Sequence, residues 1–287
     1  MLTTTNTLRL ALQEPGIVVA PGAFDALSAK LVQRAGFPAV YMTGFGVSAS
    51  RAGLPDLGLL TRSEFVDQIT QMARSVDIPL IADADTGFGN ALQLERTMQL
   101  YEQAGAAALQ LEDQDVNRRC GHLAGKEVVA ASEMVAKIRV MKAAQRDPQT
   151  VLIARTDARA VAGLDEALRR GEAYLKAGAD VLFVEAPQTI AEMKEIAREL
   201  KLPLIANMVE KGKTPFLPAE ELEQIGYKIA IYPVSTLYAA TKAMMKVLTH
   251  LREKGSTENC LEDLVSFEEF NNLVGVGEMR ALEKKFS

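Results

Sequence analysis

The chain has 287 residues, 48% of them hydrophobic and 24% charged, with a formal net charge of −5. That length suits one large α/β barrel or two modest domains with a sizeable core, and the acidic balance excludes the clustered Lys and Arg of a nucleic-acid surface. No apolar run reaches membrane-spanning length, and two distant cysteines, Cys120 and Cys260, are too few for a disulfide framework and fit a reducing cytoplasm.

The opening MLTTTNTLRLALQEPG lacks the long apolar stretch of a secretory signal and reads as a short lead-in helix. Eight apolar runs follow, each bounded by turn signals: Val18–Pro21, Ala39–Thr43, Leu80–Asp83, Ala108–Glu112, Val151–Arg155, Val181–Glu185, Leu204–Asn207 and Ile229–Pro233. Amphipathic stretches such as Phe24–Ala35, Ala91–Ala104, Leu164–Ala177 and Ile190–Leu200 lie between them. Strands apolar on both faces, alternating with helices, predict a parallel sheet. Eight such units predict a (β/α)₈ barrel of the triosephosphate-isomerase type over residues 1–255. No G-x-G-x-x-G turn follows the first strand, which disfavours a dinucleotide-binding sheet.

The third run, LIADADTGFG (80–89), turns acidic at its end. Residues i and i+2 of a strand face one side, so Asp83 and Asp85 converge. Such a pair repels unless a cation separates it, and paired hard oxygens suit Mg²⁺ or Mn²⁺. Solvated turn aspartates or a helix N-cap are the alternative. Internal repetition favours the first reading. YEQAGAAALQLED (101–113) and YLKAGADVLFVEA (174–186) align Glu112 with Glu185; IPLIAD (78–83) and LPLIAN (202–207) align Asp83 with Asn207; LIAR (152–155) adds Arg155. Five polar residues therefore share one level at the C-terminal mouth of a barrel, where such enzymes keep their sites.

Between the fourth strand and its helix runs DQDVNRRCGHLAGKEVVAAS (113–132). A loop this long in a compact barrel is usually functional. Arg118, Arg119 and His122 beside Cys120 would lower the thiol pKa, and Gly121 and Gly125 would let the loop hinge. An ordinary surface cysteine is the alternative. Lys126, Lys211 and Lys213 fall in loops, and no strand end supplies the lysine of a Schiff-base aldolase.

DADTGFG, RRCGH, ARTDA and ANMVEKGKTP together resemble the isocitrate lyase/phosphoenolpyruvate mutase superfamily, from APGAFDALSA to the C-terminal tail. Cys120-Gly121-His122 resembles the gating loop of its carbon–carbon lyase branch (methylisocitrate, dimethylmalate and petal-death-protein-like enzymes), a motif that carboxyphosphonoenolpyruvate mutases share. The resemblance implies a cytoplasmic homotetramer, a dimer of dimers that exchange the last helix. It also implies metal-dependent cleavage of a small 2-hydroxy dicarboxylate. Asp83 and Asp85 would hold Mg²⁺ (or Mn²⁺), with Glu112 and Asp56 acting through water. Thr43, Gly44 and Phe45 would cradle the substrate carboxylate, though relatives usually carry Ser-Gly-Gly there. Asp83, Gly121, His122, Arg155, Glu185 and Asn207 would bind substrate. Cys120 would be the general acid, assisted by Arg119, Glu112 and Arg155.

Methylisocitrate lyases of this family place an Arg after the eighth strand and another near the C-terminus. Tyr238 and Phe267 stand there instead, which points to a substituted malate. An oxaloacetate decarboxylase or a carboxyphosphonoenolpyruvate phosphonomutase on the same scaffold, and a non-catalytic barrel that binds no Mg²⁺, are the rivals. Residues 256–287 carry apolar positions at helical spacing, more than a lone tail can bury, and are expected to pack on a neighbouring subunit.

Overall fold

The computed structural model describes residues 3–115, 117–121 and 125–287. Eight parallel strands form one sheet: β1 (Val18–Ala23), β2 (Val40–Met42), β3 (Leu80–Asp83), β4 (Ala108–Glu112), β5 (Val151–Thr156), β6 (Val181–Val184), β7 (Ile205–Asn207) and β8 (Ile229–Tyr232). Their order is β6-β5-β4-β3-β2-β1-β8-β7. Its ends, β6 and β7, meet in a single bridge, Leu182 to Leu204, which brings the sheet nearly to closure. Eight strands joined by helices make a (β/α)₈ barrel, as the spacing of apolar runs predicts. The strands Leu80–Asp83 and Ala108–Glu112 have the expected bounds, and the ends of the others lie within two residues of them.

The pleat sorts side chains into two cores. One face packs on the surrounding helices through Met42, Leu80, Leu109, Leu152 and Leu182, among others. The other fills the barrel with Val18, Tyr41, Ile81, Ile153, Phe183, Ile205 and Ile229. The helix Thr4–Gln13 adds Leu8 to this interior core. Its Arg9 donates to the Gln149 and Thr150 carbonyls and to Asp180. These partners lie at or before the N-terminal ends of the strands, so the lead-in helix covers the mouth opposite the acidic ring.

The repeated Ala-Gly-Ala segments are helix stops. Gly105 (φ 98°) and Gly178 (φ 108°) end the helices Ala91–Ala104 and Leu164–Ala177 in the left-handed region, where a side chain would be strained. Each stop feeds the next strand within a few residues. This shared geometry is why Glu112 and Glu185 emerge at one height.

The chain divides into two compact units, 1–235 and 236–287. The break lies at the start of the helix Ser235–Lys254. That helix buries none of its residues. The second unit adds a 3₁₀ segment (Glu258–Asp263) and the helices Phe267–Leu273 and Val276–Phe286. It exposes Met244, Met245, Phe267, Met279 and Phe286. Among the described residues, no helix is long and apolar enough to cross a membrane.

Candidate active site

The acidic ring forms at the C-terminal ends of the strands, and it is buried. Asp83, Asp85, Glu112 and Glu185 are all at most 5% exposed. Asp83 Oδ1 accepts from the Asp85 amide at 3.1 Å and from Gln110 Nε2 at 3.4 Å. Gln110 in turn accepts from Tyr41 Oη at 3.0 Å, so a polar thread inside the barrel fixes the rotamer of Asp83. Asp85 sits at φ 47°, a left-handed conformation that Asp tolerates better than most residues and that turns its carboxylate back toward Asp83.

Beside the pair lies the N-terminus of the helix Gly44–Ala52. Thr43 is its N-cap, accepting from the Gly46 amide through Oγ1 at 3.3 Å. A Cβ on Gly44 would stand 2.7 Å from Asp83 Oδ2, so only glycine lets the helix end reach the acids. An open helix N-terminus attracts anions, which gives the site a carboxylate-binding end next to a cation-binding one.

The Arg118 guanidinium enters this pocket. It ion-pairs with Asp56, with Asp85 Oδ1 at 3.0 Å and with Glu112 Oε1 at 2.7 Å. Asp56 is therefore a buried partner and no solvated turn residue. The neighbouring Arg119 side chain is exposed and lies beside Gly125, while its backbone is clamped by Gln114. Adjacent residues in extended chain point oppositely. The sequence reading named Arg119 for the site, and the structure places Arg118 against these acids.

Burial pushes the Asp83, Asp85 and Glu112 carboxyls above their ordinary values, against the opposing pull of Arg118. Glu112 rises to about 7. Asp56, Asp83, Asp85 and Glu112 outnumber the two guanidiniums that reach them, Arg118 and, 3.4 Å from Glu112 Oε2, Arg155, which leaves the pocket short of positive charge.

The opposite rim is built on Arg155, next to Glu112 in the β4–β5 register. Its Nε and Nη2 donate to Asp157 at 2.9 and 3.2 Å, its Nη1 approaches Glu185 Oε2 at 3.5 Å, and its guanidinium stacks 5.0 Å above the Phe183 ring. Asn207 Nδ2 donates to Glu185 Oε2 at 3.1 Å. Burial opposes the charge on Asp157, yet Arg155 and Lys126 overcome it and hold that carboxyl at about 2. The Cys120 loop rests on this rim. A Cβ on Gly121 would fall 2.5 Å from Arg155 Nη2 and 2.6 Å from Glu185 Cδ. Cys120, half-buried, immediately precedes that contact. His122 lies outside the described residues, and Phe45 follows Gly44 in the helix's first turn.

The sequence reading did not single out Asp157, Asp113, Gln110 or Tyr41. Asp157 carried a signal, being two residues from Arg155 and so on the same side of an extended chain. Asp113 carried none. It accepts from Thr156 Oγ1, the Asp157 amide, Arg170 and Tyr174 Oη at 2.7–2.9 Å, partners that only the fold assembles.

The donor set fits a hard divalent cation. Asp85 Oδ1 and Glu112 Oε2 are buried and accept no well-formed hydrogen bond among the described residues, each having only an ion-pair approach from a guanidinium, Arg118 at 3.0 Å and Arg155 at 3.4 Å. Among the described residues no three acids, histidines or cysteines close on one point as a ready metal cage. Mg²⁺ does not need one, since it keeps several waters and takes one or two carboxylates.

Residues 8–252 match the family described as phosphoenolpyruvate phosphomutase. The chain belongs to the phosphoenolpyruvate mutase/isocitrate lyase superfamily. Superfamily relatives include a 2,3-dimethylmalate lyase of Eubacterium barkeri, 46% identical over 100% of this chain and 99% of that protein. A 2-methylisocitrate lyase of Aeropyrum pernix is 44% identical over 93% of this chain and 86% of its own. Among solved structures, a 2,3-dimethylmalate lyase superimposes with a TM-score of 0.95 at 36% identity, covering 100% of this chain and 96% of that one. An oxaloacetate acetylhydrolase bound to 3,3-difluorooxalacetate superimposes at 0.93 and 34% identity, covering 99% and 97%. A phosphonopyruvate hydrolase of the same fold holds oxalate and Mg²⁺ at a TM-score of 0.90 and 34% identity, covering 99% of each chain.

Proposed function

We propose that the protein is a divalent-cation-dependent carbon–carbon lyase that splits a substituted malate into a 2-oxo acid and a carboxylic acid. The observation that carries this reading is the juxtaposition of three things. They are buried acid oxygens without hydrogen bonds, a helix N-terminus, and a cysteine-bearing loop pressed on the Arg155–Glu185 rim. Mg²⁺ (or Mn²⁺), held by Asp83 and Asp85 with Glu112 and Asp56 acting through water, would supply Lewis acidity that polarises the substrate's carboxylate and 2-oxygen.

The chain's own groups do the rest. Thr43 and the amides of Gly44 and Phe45 take one substrate carboxylate, and Arg155 takes a carboxylate through its planar fork. Glu185 and Asn207 orient the 2-hydroxyl, and the Glu185 carboxylate takes its proton. As the carbon–carbon bond breaks, its electron pair passes to the departing fragment as an enolate. The Cys120 thiol protonates that carbon. Arg118 balances charge inside the acidic pocket, and Arg119, next to Cys120, holds the charge of the thiol or of the enolate.

The substituted malate is favoured because Tyr238 and Phe267 stand where two arginines would hold a third carboxylate. Each missing charge-assisted contact is worth about 1.5–3 kcal/mol. Purified enzyme with Mg²⁺ is expected to show kcat/KM for 2,3-dimethylmalate at least about tenfold above that for 2-methylisocitrate. The reverse order, or a preference for oxaloacetate, overturns the substrate assignment. The apolar side chains exposed on residues 236–287 support the further reading that the chain associates with copies of itself, as a homotetramer with exchanged C-terminal helices.

A further inference from the structure

The proton donor of the proposed reaction sits on a loop, and the described residues show what fixes that loop. Lys126 lies at its far end with a side chain 2% exposed. Its Nζ donates to Asp157 Oδ1 at 2.6 Å and to the Gly121 carbonyl at 2.5 Å. Asp157 is the carboxylate that orients Arg155. Its amide is held by Asp113, which Thr156, Arg170 and Tyr174 anchor in turn. A single buried ammonium therefore joins the residue next to Cys120 to the rigid end of β5. Gly121 can lie there only because it lacks a Cβ.

We propose that Lys126 is a positioning residue that pins the Cys120–Gly121 segment over the barrel mouth through the Gly121 carbonyl–Lys126–Asp157 bridge. The proposal rests on the reading of Cys120 as proton donor, and it assigns Lys126 no contact with substrate. Two consequences separate it from a substrate-binding or merely structural lysine. Removing the ammonium leaves Asp157 still paired with Arg155, so the substrate-binding rim survives. The loss falls on the protonation step and on the cover over Cys120.

The test uses Lys126→Met and Asp157→Asn in the full chain, with two readouts. Iodoacetamide labelling, resolved by peptide mass spectrometry to separate Cys120 from Cys260, is run without substrate. Steady-state kinetics is run with Mg²⁺ and 2,3-dimethylmalate. Lys126→Met is expected to raise the Cys120 labelling rate about tenfold or more. It should lower kcat by roughly 10–100-fold, as small misplacements of a catalytic group do, while KM stays within about threefold. Asp157→Asn is expected to raise both the labelling rate and KM, because it loosens Lys126 and Arg155 together; Lys126→Arg, which keeps the charge, should recover part of the Cys120 protection.

Unchanged Cys120 labelling in Lys126→Met overturns the proposal, and so does a rise in KM with kcat intact. Should Lys126→Met fail to fold, Asp157→Asn decides alone: labelling at the wild-type rate overturns the bridge. If the wild type turns over no dicarboxylate, the lyase reading fails, and the labelling arm still decides whether Lys126 holds the loop.

Discussion

Cys120→Ala is expected to lower kcat for dimethylmalate cleavage by about 10²–10⁴-fold, the range that a positioned general acid contributes. KM should change little, because truncating this side chain leaves Thr43, Gly44, Phe45, Arg155, Glu185 and Asn207 in place to bind substrate. The physical reason is the fate of the electron pair. Breaking the carbon–carbon bond leaves a carbanion that must be protonated before products part, and a methyl side chain has no proton to give. Cys120→Ser tests the same step more gently, since a hydroxyl is a far weaker acid than a thiol. It should retain only a small fraction of activity. Full activity in Cys120→Ser would point instead to loss of CO₂ from oxaloacetate, a reaction with less need of the thiol. Rapid-quench kinetics on the purified variants checks the outcome.

Asp85→Asn carries the second large effect, and it should separate activity from stability. With Asp85 neutral, the site loses an oxygen charge that the cation needs. Activity is expected to fall at least about 10²-fold, since Lewis-acid stabilisation of the transition state is worth several kcal/mol. Folding should respond in the opposite direction. Burial raises the Asp85 and Glu112 carboxyls in the folded protein, Glu112 from 4.5 to about 7. A carboxyl raised on folding binds more protons in the native than in the unfolded state. Its stabilising contribution is then complete below pH 4.5 and is lost as pH climbs through about 7. Metal-free wild type should therefore melt at lower temperature at pH 8 than at pH 5.

Mg²⁺ should reverse that loss at pH 8. A hundredfold excess over Kd stabilises by about 2.7 kcal/mol, which is roughly 5 °C for a chain of this size. Asp85→Asn should show both a weaker pH slope and little response to Mg²⁺, while melting no lower than metal-free wild type at pH 8. Arg118 keeps Asp56 and Glu112 as partners in that variant. Scanning calorimetry of the four samples at two pH values reads all of this.

The barrel was legible in the chain because its evidence is local. Eight apolar runs, helix-stop glycines at Gly105 and Gly178, and strand-end acids all lie within one or two turns of the elements they define. The ring of Asp83, Glu112, Arg155, Glu185 and Asn207 was legible because the repeats carry a common register into three dimensions. What the sequence hid depends on partners distant along the chain. Lys126 reads as one loop lysine among several, and only Asp157, 31 residues on, makes it a buried bridge. Arg118 and Arg119 are adjacent and chemically identical, so spacing could not say which of them turns inward; the path of the loop past Gln114 decides it.

The central claim is that acids from separate strands hold a divalent ion beneath a cysteine-bearing loop. A crystal structure grown with Mn²⁺ and oxalate tests it most directly, because anomalous scattering marks the ion independently of any assumption about the site. The account predicts one strong peak against the Asp83 and Asp85 carboxylates, oxalate lodged between it and Arg155, and Cys120 facing that ligand. An ion bound away from both aspartates, or a Cys120 side chain turned from the mouth with oxalate in place, would contradict it.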